Sequence, residues 1–94
     1  MNSEKLIEVF RGYRCKLSED AIQACQIGDY RAEASAFGAK ETLGHISWMC
    51  EEAISLVNQG RLEKAFRWLG FIQGVLWMSG IYSIDDLKEH SRSK

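Results

Sequence analysis

The chain has no proline and only three cysteines in 94 residues, and its charges nearly cancel, with 12 Lys+Arg against 13 Asp+Glu. Each shortage excludes something. Without proline nothing interrupts a helix by removing a backbone donor, so long helices with short joints are expected. Cys15, Cys25 and Cys50 are odd in number and lack the C-x-x-C spacing of a zinc or redox site. They read as reduced, packed thiols in a reducing compartment. The near-zero net charge disfavours nucleic acid as partner, since such binders carry a basic excess, and also disfavours a strongly acidic mimic. No basic segment followed by a long apolar run opens the chain, so a secretory leader is not expected. The most apolar stretch, Leu69 to Met78, is about half the length of a membrane span and contains Gln73, so no membrane partner is expected.

Residues that could run a reaction are scarce too. No serine sits in a nucleophile elbow, and Gly70-x-x-x-Gly74 lacks the lysine of a phosphate loop. Glu41 and His45 share an i, i+4 spacing that can ligate metal or move a proton, yet no third ligand stands near in sequence, and an ordinary helix-surface pair explains them. His90 reads as structural or solvated. The sequence therefore predicts a non-catalytic protein with no metal and no cofactor.

What is present is helical patterning. Length allows one domain, residues 1–94. A first helix is expected from Ser3 to Cys15, with Leu6, Phe10 and Tyr13 on one side and Gly12 weakening its end. Ser18-Glu19-Asp20 reads as the start of a second. From Ile22 a seam alternates steps of three and four through Cys25, Asp29, Ala32, Ala36, Ala39, Leu43, Ile46, Cys50, Ala53 and Val57. One helix from Ser18 to Asn58 would be about 60 Å long, roughly twice the width of such a globule. A joint near Ile27-Gly28-Asp29 is expected instead, leaving a long helix over about 29–58. Asn58-Gln59-Gly60 stops it, Arg61 opens the next, Gly80 ends that one, and Ser83-Ile84-Asp85-Asp86 starts a short last helix. The polar tail from Ser91 should fray. The fold class is all-α: a small bundle of four to five helices, expected as a homo-oligomer with a dimer favoured.

Ala65 to Met78 is the most informative segment. One face carries Leu62, Phe66, Leu69, Ile72 and Leu76, and another carries Trp68, Phe71, Val75 and Met78. A surface helix needs one apolar stripe, whereas this one is apolar nearly all round. Either it is the central helix of the bundle, or its second face meets another molecule, with Phe66, Trp68, Phe71, Val75, Trp77 and Met78 as contact candidates. Gly70 and Gly74, one turn apart, imply that another element approaches the backbone closely, because glycine inside a helix costs about 1 kcal/mol. A second cluster, Arg11, Tyr13, Arg14, Lys16, Tyr30 and Arg31, could hold a phosphate and stack on a base, or be a solvated basic patch balancing Glu19, Asp20 and Glu33.

The residues Arg67-Trp68-Leu69-Gly70-Phe71-Ile72-Gln73-Gly74-Val75-Leu76-Trp77, followed by Gly80-Ile81-Tyr82-Ser83-Ile84-Asp85-Asp86-Leu87-Lys88-Glu89-His90-Ser91, resemble the ending of small accessory proteins of tailed bacteriophages, most clearly over 63–92. The resemblance implies a phage early protein in the host bacterial cytoplasm and brings no catalytic residues. With it, the leading expectation is stoichiometric binding to a host protein of a defence, recombination or nuclease system. A second likeness, in Gly12-Tyr13-Arg14 with Leu17-Ser18-Glu19 and Ile22, is similar to the opening of small helical phage proteins that sequester cyclic nucleotides. It implies Tyr13 and nearby basic residues as contacts for a small anionic nucleotide, although the chain after Gly60 does not follow that pattern. A structural or regulatory homo-oligomer is the third expectation.

Overall fold

A computed structural model of the chain describes residues 1–27 and 39–92, with Ala39 described by its backbone alone. Four helices follow in order: α1 Ser3–Glu19, α2 Ala39–Asn58, α3 Leu62–Met78 and α4 Ile84–His90. No strand occurs among the described residues. No helix among them is long and apolar enough to cross a membrane.

Helix α1 begins where a side chain can cap it: the backbone N–H of Lys5 donates to Asn2 Oδ1 at 2.8 Å. It does not stop at Cys15, and Ser18 does not open a second helix. The stripe Leu6, Val9, Phe10, Tyr13 and Leu17 recurs at helical spacing and is buried throughout. Enclosing Leu17 adds about 1.5–3 kcal/mol, which outweighs the cost of Gly12 and carries the helix on to Glu19. The stop comes from the backbone. The Ala21 N–H donates to the Ser18 carbonyl and the Ile22 N–H to the Leu17 carbonyl, with Ala21 in the left-handed region at φ 63°. That is a Schellman closure with alanine where glycine is usual.

Residues 22–27 are not helical, so the expected seam fails at Ile22 and Cys25. Their backbone is used differently: it is pinned across α2. Its later members hold: Ile46, Cys50, Ala53 and Val57 form the buried face of α2, with Leu43 half-buried beside them. The expected joint at Gly28, and seam members Asp29, Ala32 and Ala36, lie outside the described residues. The helix expected from about residue 29 is thus described only from Ala39.

Helices α2 and α3 end by the same closure at glycine, Gly60 (φ 78°) and Gly80 (φ 74°). Ser83 caps α4 in a reciprocal box: Asp86 N–H donates to Ser83 Oγ, and Ser83 N–H to Asp86 Oδ2, each at 3.1 Å. Helix α1 packs on α2 and α2 on α3. The inward stripe of α3 is Ala65, Leu69, Ile72 and Leu76. This corrects the expected face, since Leu62 and Phe66 point outward and Ala65 takes their place. A methyl group there lets α2 come close, and the larger side chains turn to the rim.

Candidate protein-docking face

With one side of α3 in the core, its outer arc is left with large apolar side chains. Phe71 is 57% exposed, Trp77 49% and Met78 77%, and Phe66 also faces outward. From Trp68 to Ile84 the chain carries no charged residue. The charges of α3, Glu63, Lys64 and Arg67, all stand near its start, and Glu63 pairs with Arg67 at 4.0 Å. Gly70 and Gly74 lie on this arc, and a Cβ at either would meet no atom within 4 Å. The close approach that their spacing implies is therefore not made by the described residues of this chain. A shallow hollow of about 570 Å³ runs beside them, lined by Gly70, Phe71, Gly74, Trp77 and Met78. Trp77 and Gly74 also border a second hollow of about 330 Å³, with Ile84 and Leu87 beyond.

Trp68 and Val75 are half-buried at the edge of this face. Trp68 lies 6.3 Å from the Trp48 ring, which in turn stacks on His45 at 5.3 Å. The Lys64 ammonium sits 5.6 Å over Trp68. Trp68 thus fixes α3 against α2 and marks one border of the face. Contiguous exposed apolar surface rimmed by polar groups has the chemistry of a contact surface for protein.

The basic and aromatic cluster of α1 is divided by the fold. Tyr13 turns into the core, 2% exposed. Its hydroxyl accepts a hydrogen bond from Gln73 Nε2 at 2.9 Å and lies 2.9 Å from His90 Nδ1. Burial pushes the phenol up to about 12. Its ring also packs 5.6 Å from Tyr82. Arg14 pairs with Glu51, and Lys16 with Asp20 at 3.6 Å. Arg11 and Arg14 share a cleft of about 560 Å³ with Cys15, Ser18, Gln23 and Ser47, in which Tyr13 has no part. Two guanidinium groups there could hold an anion. Tyr30 and Arg31 lie outside the described residues.

Two arrangements carry no obvious local signal. The first joins Gln73, Tyr13, His90 and Ser91, since Gln73 Nε2 also donates to Ser91 Oγ at 2.9 Å. It ties α4 and the first tail residue, Ser91, to α1 and α3. Gln73, the one strongly polar residue inside an apolar run, was the available clue. The second pins residues 22–27 across α2. Cys25 N–H donates to the Gly44 carbonyl at 3.0 Å, and Ile27 N–H to His45 Nδ1 at 3.1 Å. That bond holds the His45 ring against the segment. Burial lowers the histidine pKa below its ordinary value. Among the described residues, no three acidic, histidine or cysteine side chains converge as a metal site would require. Burial drives the Cys50 thiol up to about 12, whereas Cys15 and Cys25 are exposed.

No protein-family model, curated protein or solved structure matches the chain.

Proposed function

We propose that the protein acts by stoichiometric, non-catalytic binding and that the outer face of α3 is its contact surface. The observation that supports this reading is the uncharged arc around Phe71, Trp77 and Met78, left open by the described helices. Rigid aromatic side chains on a helix are efficient anchors, because they bury large areas at low entropic cost. Together with the phage-like ending at 63–92, the reading becomes a phage accessory protein in the host cytoplasm. It occupies the surface of a host defence or recombination protein through Trp68, Phe71 and Val75, and itself assembles as a homodimer.

The test places a photo-crosslinking residue at Val75 in infected cells. One defined host protein should be captured by the wild-type chain and lost on Phe71→Asp. Adducts to the chain alone would refute the host-protein reading. The cleft between Arg11 and Arg14 favours a second reading, sequestration of a small anionic nucleotide, for which a panel of cyclic nucleotides should raise the melting temperature. No shift at saturation would dispose of it. A purely structural homo-oligomer, the third reading, predicts assembly with no host partner.

A further inference from the structure

We infer that the strip of α3 carrying Phe66, Arg67, Gly70, Gly74, Trp77 and Met78 pairs antiparallel with the same strip of a second copy of this chain, across a twofold axis passing midway between the two glycines. The inference rests on reading the outer arc of α3 as a contact surface. It adds which part of that arc the copy takes and in what register.

The argument starts from the two glycines. Each weakens the helix, and neither is required by the described residues of the chain, since a Cβ would point into open space at both. Both become intelligible if another backbone lies against them. At 3.6 residues per turn Phe66, Gly70, Gly74 and Trp77 fall on one side of α3, with bulky side chains before and after a smooth trough. A twofold interface must be complementary to itself, so that position i meets position j and j meets i. The sequence satisfies this about Ile72. Gly70 and Gly74 stand two positions from it on either side, Arg67 and Trp77 five, and Phe66 and Met78 six.

In that register trough meets trough, which allows the axes to approach closely. The guanidinium of Arg67 meets the Trp77 ring of the other copy, a cation–π pair. The thioether of Met78 meets Phe66, a favourable sulfur–aromatic contact. Parallel pairing would instead set Arg67 against Arg67 and Glu63 against Glu63. The charges therefore select the antiparallel arrangement. Covering these side chains on both copies buries on the order of 1,200 Å² in total, at the lower bound for a specific pair. Phe71, Trp68 and Val75 lie round the helix from this strip and stay outside the pair, so a dimer presents two copies of the remaining face.

Sedimentation analysis at micromolar concentration tests the inference on the full chain. The wild type should be a dimer. Gly70→Leu and Gly74→Leu, whose side chains would meet none of the described residues of the monomer, should keep the far-UV spectrum and a cooperative melt yet dissociate the pair by more than about tenfold. Register is tested in a Cys15→Ser, Cys25→Ser background by mixing Gly70→Cys with Gly74→Cys. A disulfide should form in the mixture and not in either variant alone. A monomeric wild type, a dimer indifferent to leucine at both positions, or crosslinks within Gly70→Cys alone would each overturn the inference. A monomeric wild type whose host capture is lost on Phe71→Asp would overturn this pairing and leave the host-binding reading standing. A dimer with the stated register and no host capture would do the reverse.

Discussion

Tyr13 and His90, 77 positions apart, meet side chain to side chain at 2.9 Å. The Tyr13 hydroxyl also accepts from Gln73 Nε2, so one oxygen joins α1, α3 and α4. Helix α4 has only seven residues and a single buried side chain, Leu87. A helix so short is not stable alone, so its attachment depends on such contacts. Tyr13→Phe keeps the ring and removes the hydroxyl, and should cost about 1–2 kcal/mol in urea unfolding. Hydrogen exchange should show α4 released before the rest. An unchanged midpoint with full protection of α4 would show that its docking does not run through this hydroxyl.

Alanine and glycine are each misplaced once in α1 and its closure, in opposite senses. Ala21 closes the helix in the left-handed region, where a side chain costs about 1–2 kcal/mol. Gly12 sits mid-helix, and among the described residues nothing lies within 4 Å of a Cβ there. Ala21→Gly and Gly12→Ala should each stabilise, by about 0.5–1 kcal/mol. Thermal melts of the two variants and their double mutant check this, and a lower melting temperature for either would contradict it.

Gly44 behaves differently although it too is helical. A Cβ there would stand 2.6 Å from Cys25 Sγ and 2.7 Å from the Gln23 carbonyl oxygen. The carbonyl is backbone and cannot swing away, so Gly44→Ala should expel residues 22–27 from α2. The helix gains about 1 kcal/mol of propensity, yet the net effect should be destabilising. Limited proteolysis should then cut within 22–27, and an uncut, more stable variant would contradict the packing.

The same segment makes stability depend on pH. Burial lowers the His45 pKa in the fold below the ordinary value of 6.5. In addition, Nδ1 must keep its lone pair to accept from Ile27 N–H. As pH falls through about 6.5, the unfolded chain takes up a proton at His45 and the folded chain does not. The stabilisation is complete above that pH and declines below it, down to the lowered folded value. His45→Asn offers an oxygen acceptor that does not titrate. Urea midpoints should therefore fall less steeply between about pH 7 and pH 5 in the variant than in the wild type. Equal slopes would contradict the assignment.

The chain announces some of this fold and conceals the rest for physical reasons. Asn58-Gln59-Gly60, Gly80 and Ser83 give the limits of α3 and α4 because capping and left-handed closure are local chemistry. Ser18-Glu19-Asp20 has equally good local credentials as a helix start and misleads, because burial of Leu17 decides the matter. The left-handed Ala21 is invisible in a residue that avoids that conformation. The outer arc of α3 is legible as an excess of apolar residues, but periodicity does not say which stripe faces inward. Small Ala65 wins that place over Leu62 and Phe66 by letting α2 close in. The assembly of Tyr13, Gln73 and His90 depends on tertiary placement, so spacing could not suggest it and instead grouped Tyr13 with the arginines.

The central claim is that another protein covers the outer face of α3. Met78, the most exposed large apolar side chain on it, reports this directly. Hydroxyl-radical footprinting of the protein in infected-cell extract should show Met78 and Trp77 protected, with exposure restored by Phe71→Asp combined with Gly74→Leu. Buried Met49 serves as the internal reference. Met78 oxidising in extract as fast as in the dilute isolated chain would contradict the account.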